Sequence, residues 1–204
     1  MHDVTSGVRL TYDDLLRLPD DRRRHELIDG THHVTASPNT RHQHVLGEIY
    51  FALRSHLERH PGGSLFLAPV DVVLSARDVV VPDMVYLSAE RAANVLTHQA
   101  IRGMPDLIVE ILSPGTRRRD GTVKQALYDR EGVTEYWVVD PRRDTIRVYR
   151  RSDEGLVVAA DLSAEAGDTL TTPLLPGLSV PLARVFRSRR LAPVANALPV
   201  GAVG

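Results

Sequence analysis

Hydrophobic and polar residues follow patterns along the chain that predict a mixed α/β fold. In residues 39–59 the apolar side chains recur three or four positions apart, which predicts an amphipathic helix of about five turns. Residues 106–112 and 135–140 are almost wholly apolar, as strands buried on both faces of a central sheet are. The Asp29-Gly30 pair is a strong turn signal and predicts a hairpin between residues 26–28 and 32–35.

The other segments complete a central mixed sheet flanked by helices, with an N-terminal hairpin and a C-terminal β extension. Further helices are predicted at residues 11–18, 91–101 and 120–131. Further strands are predicted at residues 65–74, 79–87, 145–151 and 156–162, and around Leu170. We expect a single domain over residues 1–187, followed by a flexible tail over residues 188–204, which has no periodicity.

Composition narrows the class of protein. The chain has 204 residues and no cysteine, which excludes disulfides, thiolate nucleophiles and cysteine zinc sites and favours a cytoplasmic location. Neither a signal-peptide pattern nor a window near the roughly 18 apolar residues of a membrane span is present, so we expect no membrane partner. The formal net charge is only -1, so any contact with nucleic acid must come from local clusters.

Arginine forms three such clusters, although solvated surface commonly carries arginine runs as well. The clusters are Arg22 to Arg24; Arg117, Arg118 and Arg119; and Arg187 with Arg189 and Arg190. Lys124 is the only lysine among the 25 basic residues. The single lysine indicates either that this position needs a compact ammonium in place of the larger, planar guanidinium, or that one lysine remains by chance.

Two carboxylates stand inside apolar strands, where an unpaired charge costs several kcal/mol. Glu110 lies within DLIVEIL, and Asp83 follows Pro82 in VVVPDMVYL, at a break that can aim its side chain out of the sheet. A buried base could pair with Glu110, and a turn could satisfy Asp83. Alternatively, both carboxylates with a backbone carbonyl and waters would form the oxygen-rich site that Mg²⁺ prefers.

A cation near such a site would come from the following helix. Strand alternation places position 112 beside Glu110, but that residue is Leu112. Asp120, Lys124 and Tyr128 recur at four-residue steps, so they share a helical face that can look back onto the sheet. His42 lies near the start of the long helix and is either an exposed or capping histidine or a phosphate or metal contact.

Several motifs, in order, carry a family resemblance. They include HELIDG, VVVPDMVYLS, PDLIVEILSPGT, KQALYDREGVTEYWVVDP and PLLPGLSVPLARVF. With these motifs the chain resembles, over about residues 9–187, the Uma2 family (DUF820) of restriction endonuclease-like proteins in the PD-(D/E)XK nuclease superfamily. The chain departs from the superfamily's E-x-K pattern, because Glu110 and Ile111 are followed by Leu112.

The resemblance implies a Mg²⁺-dependent or Mn²⁺-dependent endonuclease acting on DNA. It implies Asp83, Glu110 and Lys124 as the catalytic set, with metal held by both carboxylates and the Ile111 carbonyl, and Glu26 and His42 in supporting roles. Arg117, Arg118 and Arg119 would contact DNA phosphates. Cutting both strands needs two sites, which favours a homodimer. Two alternatives stay open: a nuclease fold retained only for binding nucleic acid or protein, and a hydrolase of small phosphoesters.

Overall fold

The computed structural model describes residues 9–19, 21, 23–35, 37–113 and 122–187. The predicted tail at 188–204, Asp120 and the cluster of Arg117, Arg118 and Arg119 lie outside the described residues. In chain order, the helices and strands are α1 (Tyr12–Leu15), β1 (Arg24–Ile28), β2 (Thr31–Thr35), α2 (Thr40–Arg59), β3 (Gly63–Leu67), β4 (Val72–Val73), β5 (Val79–Val80), β6 (Met84–Ser88), α3 (Ala89–Val95), β7 (Ile101–Arg102), β8 (Leu107–Ile111), α4 (Lys124–Arg130), β9 (Glu135–Asp140), β10 (Thr145–Ser152), β11 (Gly155–Ser163), β12 (Thr169–Leu170), β13 (Val180–Pro181) and α5 (Leu182–Val185).

A six-stranded sheet forms the centre of the molecule, in the order β11-β10-β9-β8-β6-β3. Strands β8 and β9 are parallel, and the other neighbours in this sheet are antiparallel. A five-stranded sheet has the order β2-β1-β5-β4-β7, and β12 pairs with β13. The predicted mixed α/β architecture with its N-terminal hairpin is therefore confirmed.

Strand β8 shows why the central strands are so apolar. Its side chains alternate between two buried clusters: Leu107, Val109 and Ile111 pack in the cluster that includes α2. Ile108 packs with Leu127 and Tyr128 of α4 on the opposite face. Glu110 shares the face of Ile108 and so points toward α4.

Two predicted strands are each divided by a proline. Residues 65–74 and 79–87 were expected to form one strand each, which is wrong: β3 and β6 belong to the six-stranded sheet, whereas β4 and β5 belong to the five-stranded sheet. Pro69 and Pro82 stand at the breaks, where the missing N–H and fixed φ end a strand. The chain therefore crosses between the sheets at Pro82, immediately before Asp83.

The helices differ from prediction mainly in their ends. Helix α2 matches its prediction, and the Asn39 side chain caps it by accepting a hydrogen bond from the His42 N–H. Helix α1 is a single turn that begins with a capping box of Thr11 and Asp14 and ends at Leu15. The helix predicted at residues 91–101 is wrong in its second half, because α3 ends at Val95 and the chain then forms β7. Among the described residues, no helix is long and apolar enough to cross a membrane.

Candidate functional site

Asp83 lies at the crossing between the two sheets, one residue before β6. Its carboxylate is buried, and each of its oxygens accepts hydrogen bonds. Arg24 donates from Nη1 to Oδ1 at 2.6 Å. The N–H of Ile111 donates to Oδ2 at 2.9 Å, and His42 Nε2 lies 3.0 Å from the same oxygen. Asp83 therefore joins β1, the first turn of α2 and the end of β8.

These partners keep the Asp83 carboxylate ionised. Burial alone would raise the pKa of Asp83, but hydrogen bonding and charge from His42, with further hydrogen bonds from Arg24 and Ile111, hold the pKa below its usual value. An ionised carboxylate only accepts hydrogen bonds, so His42 carries its hydrogen on Nε2. This leaves His42 Nδ1 as a buried nitrogen that has no hydrogen-bond partner among the described residues.

Glu110 accepts hydrogen bonds from two side chains of α4. Lys124 Nζ donates to Glu110 Oε1 at 2.7 Å, and the Tyr128 hydroxyl donates to the same oxygen at 2.8 Å. Both donors come from one helical face because they are four residues apart. Burial, followed by the charge of Glu110, raises the pKa of Tyr128 well above its usual value, so the hydroxyl keeps its proton and remains a donor.

Lys124 also contacts a second buried carboxylate. Its Nζ lies 2.7 Å from Glu26 Oε1, and the Val81 N–H donates to that same oxygen at 3.0 Å. The Lys124 side chain is only 2% exposed, so a full ammonium charge is enclosed between Glu26 and Glu110. Two acids compensating one buried base explain how the ammonium can remain inside the protein.

Strand β1 contacts both Asp83 and the group formed by Lys124, Glu26 and Glu110. Arg24 and Glu26 are two residues apart on this strand and therefore share a side; Arg24 contacts Asp83, and Glu26 contacts Lys124. The pairing of Met84 with Val109 places Asp83, one step further, opposite Glu110 on the neighbouring strand. The predicted residues Asp83, Glu110, Lys124, Glu26 and His42 thus lie in one buried charged region.

Arg24 and Tyr128 also belong to this region, although neither was among the predicted site residues. Arg24 belongs to a predicted arginine cluster that either contacts nucleic acid or is solvated surface, but its side chain is only 20% exposed and pairs with a buried acid. Its position two residues before Glu26 is the signal that could have found it. Tyr128 was placed on the face of Lys124, and its contact with Glu110 follows from that position.

The contribution of Tyr128 can be measured. We expect Tyr128→Phe to lower the free energy of unfolding by about 1–2 kcal/mol, because it removes a buried hydrogen bond to a charged acceptor. Urea unfolding would measure the loss. Tyr86→Phe is the matched control, since the Tyr86 hydroxyl lies 3.4 Å from its acceptor, the Gly62 carbonyl oxygen. Equal losses in the two variants would contradict a specific role for the Tyr128 hydroxyl.

The donor chemistry of the region fits Mg²⁺ or Mn²⁺. Such ions prefer oxygen ligands, and Mg²⁺ commonly binds one or two carboxylates while keeping several waters. Asp83, one residue before β6, and Glu110, in the neighbouring strand β8, supply two carboxylates. Among the described residues, however, no three His, Asp or Glu side chains converge as a ready-made metal cage. The Ile111 carbonyl stays a predicted ligand. The N–H of Ile111 donates a hydrogen bond to Asp83.

The sequence matches a known family over most of its length. The family model is Uma2, described as "Putative restriction endonuclease", and the match covers residues 12–183. The chain belongs to the Uma2 family. The match includes the candidate residues from Arg24 to Tyr128, so the buried charged region lies wholly inside the Uma2 domain.

Solved structures support the fold independently. The chain is similar to the crystal structure described as a "putative nuclease belonging to DUF820" from Anabaena variabilis, with a TM-score of 0.72 and 22% identity. The similarity covers 87% of this chain and 97% of that one. At this identity the likeness establishes the shared fold. No curated protein matches the sequence.

Proposed function

We propose that this Uma2 protein is a metal-dependent endonuclease that hydrolyses phosphodiester bonds in DNA. The observation that carries the proposal is that Asp83, one residue before β6, and Glu110, in the neighbouring strand β8, are both buried, with the Lys124 ammonium 2.7 Å from Glu110. An acid pair can hold a metal ion that activates water, and an adjacent lysine can stabilise the negative charge that develops during phosphodiester hydrolysis. Family membership supports the same chemistry.

In this proposal Asp83, Glu110 and the Ile111 carbonyl would hold Mg²⁺ or Mn²⁺. When bound, the ion would polarise the phosphodiester and lower the pKa of a water molecule. Asp83 is suited to this role because its low pKa keeps it charged at neutral pH. Tyr128 and Lys124 fix the Glu110 carboxylate from α4, so its orientation is set before substrate arrives.

Lys124 would stabilise the negative charge that develops on the phosphoryl oxygens. Its ammonium takes the place of the superfamily lysine that position 112 lacks, because it reaches the Glu110 carboxylate from the helix instead of from the strand. Glu26 would act as a positioning residue, because its Oε1 lies 2.7 Å from Lys124 Nζ, which also contacts Glu110. His42 would orient Asp83 through its contact with Oδ2.

The substrate contacts in the proposal extend beyond the described residues. Arg117, Arg118 and Arg119 follow β8 closely in sequence and would contact DNA phosphates near the carboxylates. Cleavage of both strands would require two copies of the site, so a homodimer is part of the proposal.

Cleavage of plasmid DNA tests the proposal directly. We expect the purified protein to nick or cut DNA with Mg²⁺ or Mn²⁺, to stop with a chelator, and to lose at least about a hundredfold in rate in Asp83→Asn and Glu110→Gln. Glu135→Gln is the matched control, because Glu135 is equally buried in β9 but pairs with Arg150, away from the proposed ligands. Cleavage that survives in Asp83→Asn and Glu110→Gln would remove these residues from the mechanism.

One observation favours a second candidate, a non-catalytic binding module with a nuclease fold. Asp83 already has donors from Arg24, His42 and Ile111 on its oxygens, so the charged region is internally compensated. Calorimetry separates the candidates. The binding module requires a folded protein that takes up neither Mg²⁺ nor Mn²⁺, whereas the endonuclease requires uptake that Asp83→Asn abolishes.

A further inference from the structure

An exposed aromatic ring lies in a groove between α2 and α5, away from the buried carboxylates. Phe51 is 54% exposed, and the guanidinium carbon of Arg184 lies 5.2 Å from the centre of its ring. Two cavities of about 380 and 280 Å³ adjoin at these two residues. Together they form an open groove along the outer face of α2, which we call the α2–α5 groove.

The charge of the α2–α5 groove is positive, although the whole chain is nearly neutral. Three of the described residues that line it are arginines: Arg59, Arg184 and Arg187. Among its described lining residues Glu48 is the only acid, and it approaches Arg184 no closer than 4.0 Å. A net charge of -1 for the chain makes this concentration of cations local.

The groove is distinct from the candidate metal site. Phe51 is nine residues after His42 on α2, which corresponds to about 14 Å along the helix axis and half a turn around it. His42 faces the buried carboxylates, and Phe51 therefore faces solvent on the opposite side of the helix. A ligand in the groove would not contact Asp83 or Glu110.

We propose that the α2–α5 groove binds a single strand of nucleic acid. Exposed aromatic rings stack on unpaired bases, while neighbouring arginines contact the phosphates, and each base stacked on a protein ring contributes substantially to binding. The Phe51 ring beside the Arg184 guanidinium presents both kinds of contact together. A duplex offers its phosphates but not its base faces, so the exposed ring favours a single strand. As a substrate-holding surface, the groove rests on the proposed nuclease function.

The area around the groove also favours nucleic acid over an acidic peptide. An acidic peptide would bind through the arginines and would leave the exposed face of the Phe51 ring without a stacking partner. The described lining of the groove has three arginines beside three aliphatic side chains, so a purely apolar segment would leave the cations without counter-charges. A strand with both anionic phosphates and flat bases fits both parts of the surface.

Fluorescence anisotropy with a labelled oligothymidylate of about 16 nucleotides, without added metal, tests the proposal. We expect Arg184→Gln/Arg187→Gln to weaken binding about tenfold and to reduce the salt slope of log K by about 1.4, the contribution of two phosphates in a single strand. We expect Phe51→Ala to weaken binding at least fivefold with the salt slope unchanged.

Matched controls separate the groove from general charge and exposed surface. Arg17→Gln/Arg77→Gln removes the same charge from exposed arginines on the α1 side of the molecule, and Leu16→Ala truncates another exposed apolar residue, 59% exposed. Both should stay within about twofold of the unmodified protein. If the Arg17/Arg77 variant weakens binding as much as the Arg184/Arg187 variant, or Phe51→Ala has no effect, the groove proposal is overturned.

A competition experiment excludes the other occupants. Poly-glutamate that displaces the oligonucleotide and binds equally well to Phe51→Ala would show a general anion surface, and duplex DNA that binds as tightly would show phosphate contacts alone; either result overturns the proposal. Failure of the proposed nuclease is recognised separately: oligonucleotide binding that depends on Phe51 would support the groove even if no DNA is cleaved. If the groove variants bind the oligonucleotide as tightly as the unmodified protein while the protein still cleaves DNA with Mg²⁺, the groove proposal alone is overturned.

Discussion

Lys124→Met is expected to cause the largest loss of stability of any single substitution in the charged region. It removes the one ammonium that lies 2.7 Å from both Glu26 and Glu110, and it leaves two buried carboxylates facing each other without that cation. Removing one partner of a buried ion pair commonly costs about 3–5 kcal/mol. The free energy of unfolding at neutral pH, measured in urea, should fall by that amount, and DNA cleavage should fall at least about a hundredfold.

A charge-neutral background shows whether the loss comes from uncompensated charge. In Glu26→Gln/Glu110→Gln the acids are already neutral, so adding Lys124→Met to that pair should cost less than it costs the unmodified protein. The methionine keeps most of the volume and the apolar stem of the lysine, so a change in packing alone cannot explain a difference in cost between the two backgrounds. Equal costs in both backgrounds would contradict an ionic role for Lys124 and leave a packing role.

The central strands and the long helix were predictable because each carries a complete pattern. The apolar runs of β8 and β9 have no alternative to burial on both faces, and the three- and four-residue spacing in α2 specifies one buried face. The strands around Pro69 and Pro82 were not predictable in the same way. Mostly apolar stretches continue on both sides of each proline, and only the three-dimensional structure shows that the two parts join different sheets.

The candidate site was predictable where one residue alone violates its surroundings. Glu110 in an aliphatic strand and Lys124 as the only lysine both stand out in the sequence. Arg24 does not stand out, since it closes a run of three arginines on the way into a hairpin, and its partner Asp83 is 59 residues away. Long-range pairing between ordinary residues leaves no local signal, so the full set of contacts on Asp83 could not be predicted.

Arg24→Gln is expected to strengthen metal binding at the candidate site. The Arg24 guanidinium lies 2.6 Å from Asp83 Oδ1, so it occupies a carboxylate oxygen that a metal ion would use. A cation this close commonly lowers the pKa of a carboxylate by about 1–3 units. A metal ion that binds Asp83 has to replace this favourable interaction. Glutamine keeps the polar end without the charge. Calorimetry should show Mn²⁺ binding that is roughly tenfold tighter or more, while the variant without metal is less stable.

Arg150→Gln is the matched control for this prediction. Arg150 also pairs at 2.8 Å with a buried acid, Glu135, and its side chain is 32% exposed, compared with 20% for Arg24. Both substitutions therefore remove an arginine from a buried carboxylate, and both should lower the thermal midpoint in chelator. Only Arg24→Gln should regain that midpoint when Mn²⁺ is added, because only Asp83 is then freed as a ligand. Mn²⁺ affinity that is unchanged or weaker in Arg24→Gln would mean that Arg24 does not compete with the metal ion, and it would leave Arg24 a structural partner of Asp83.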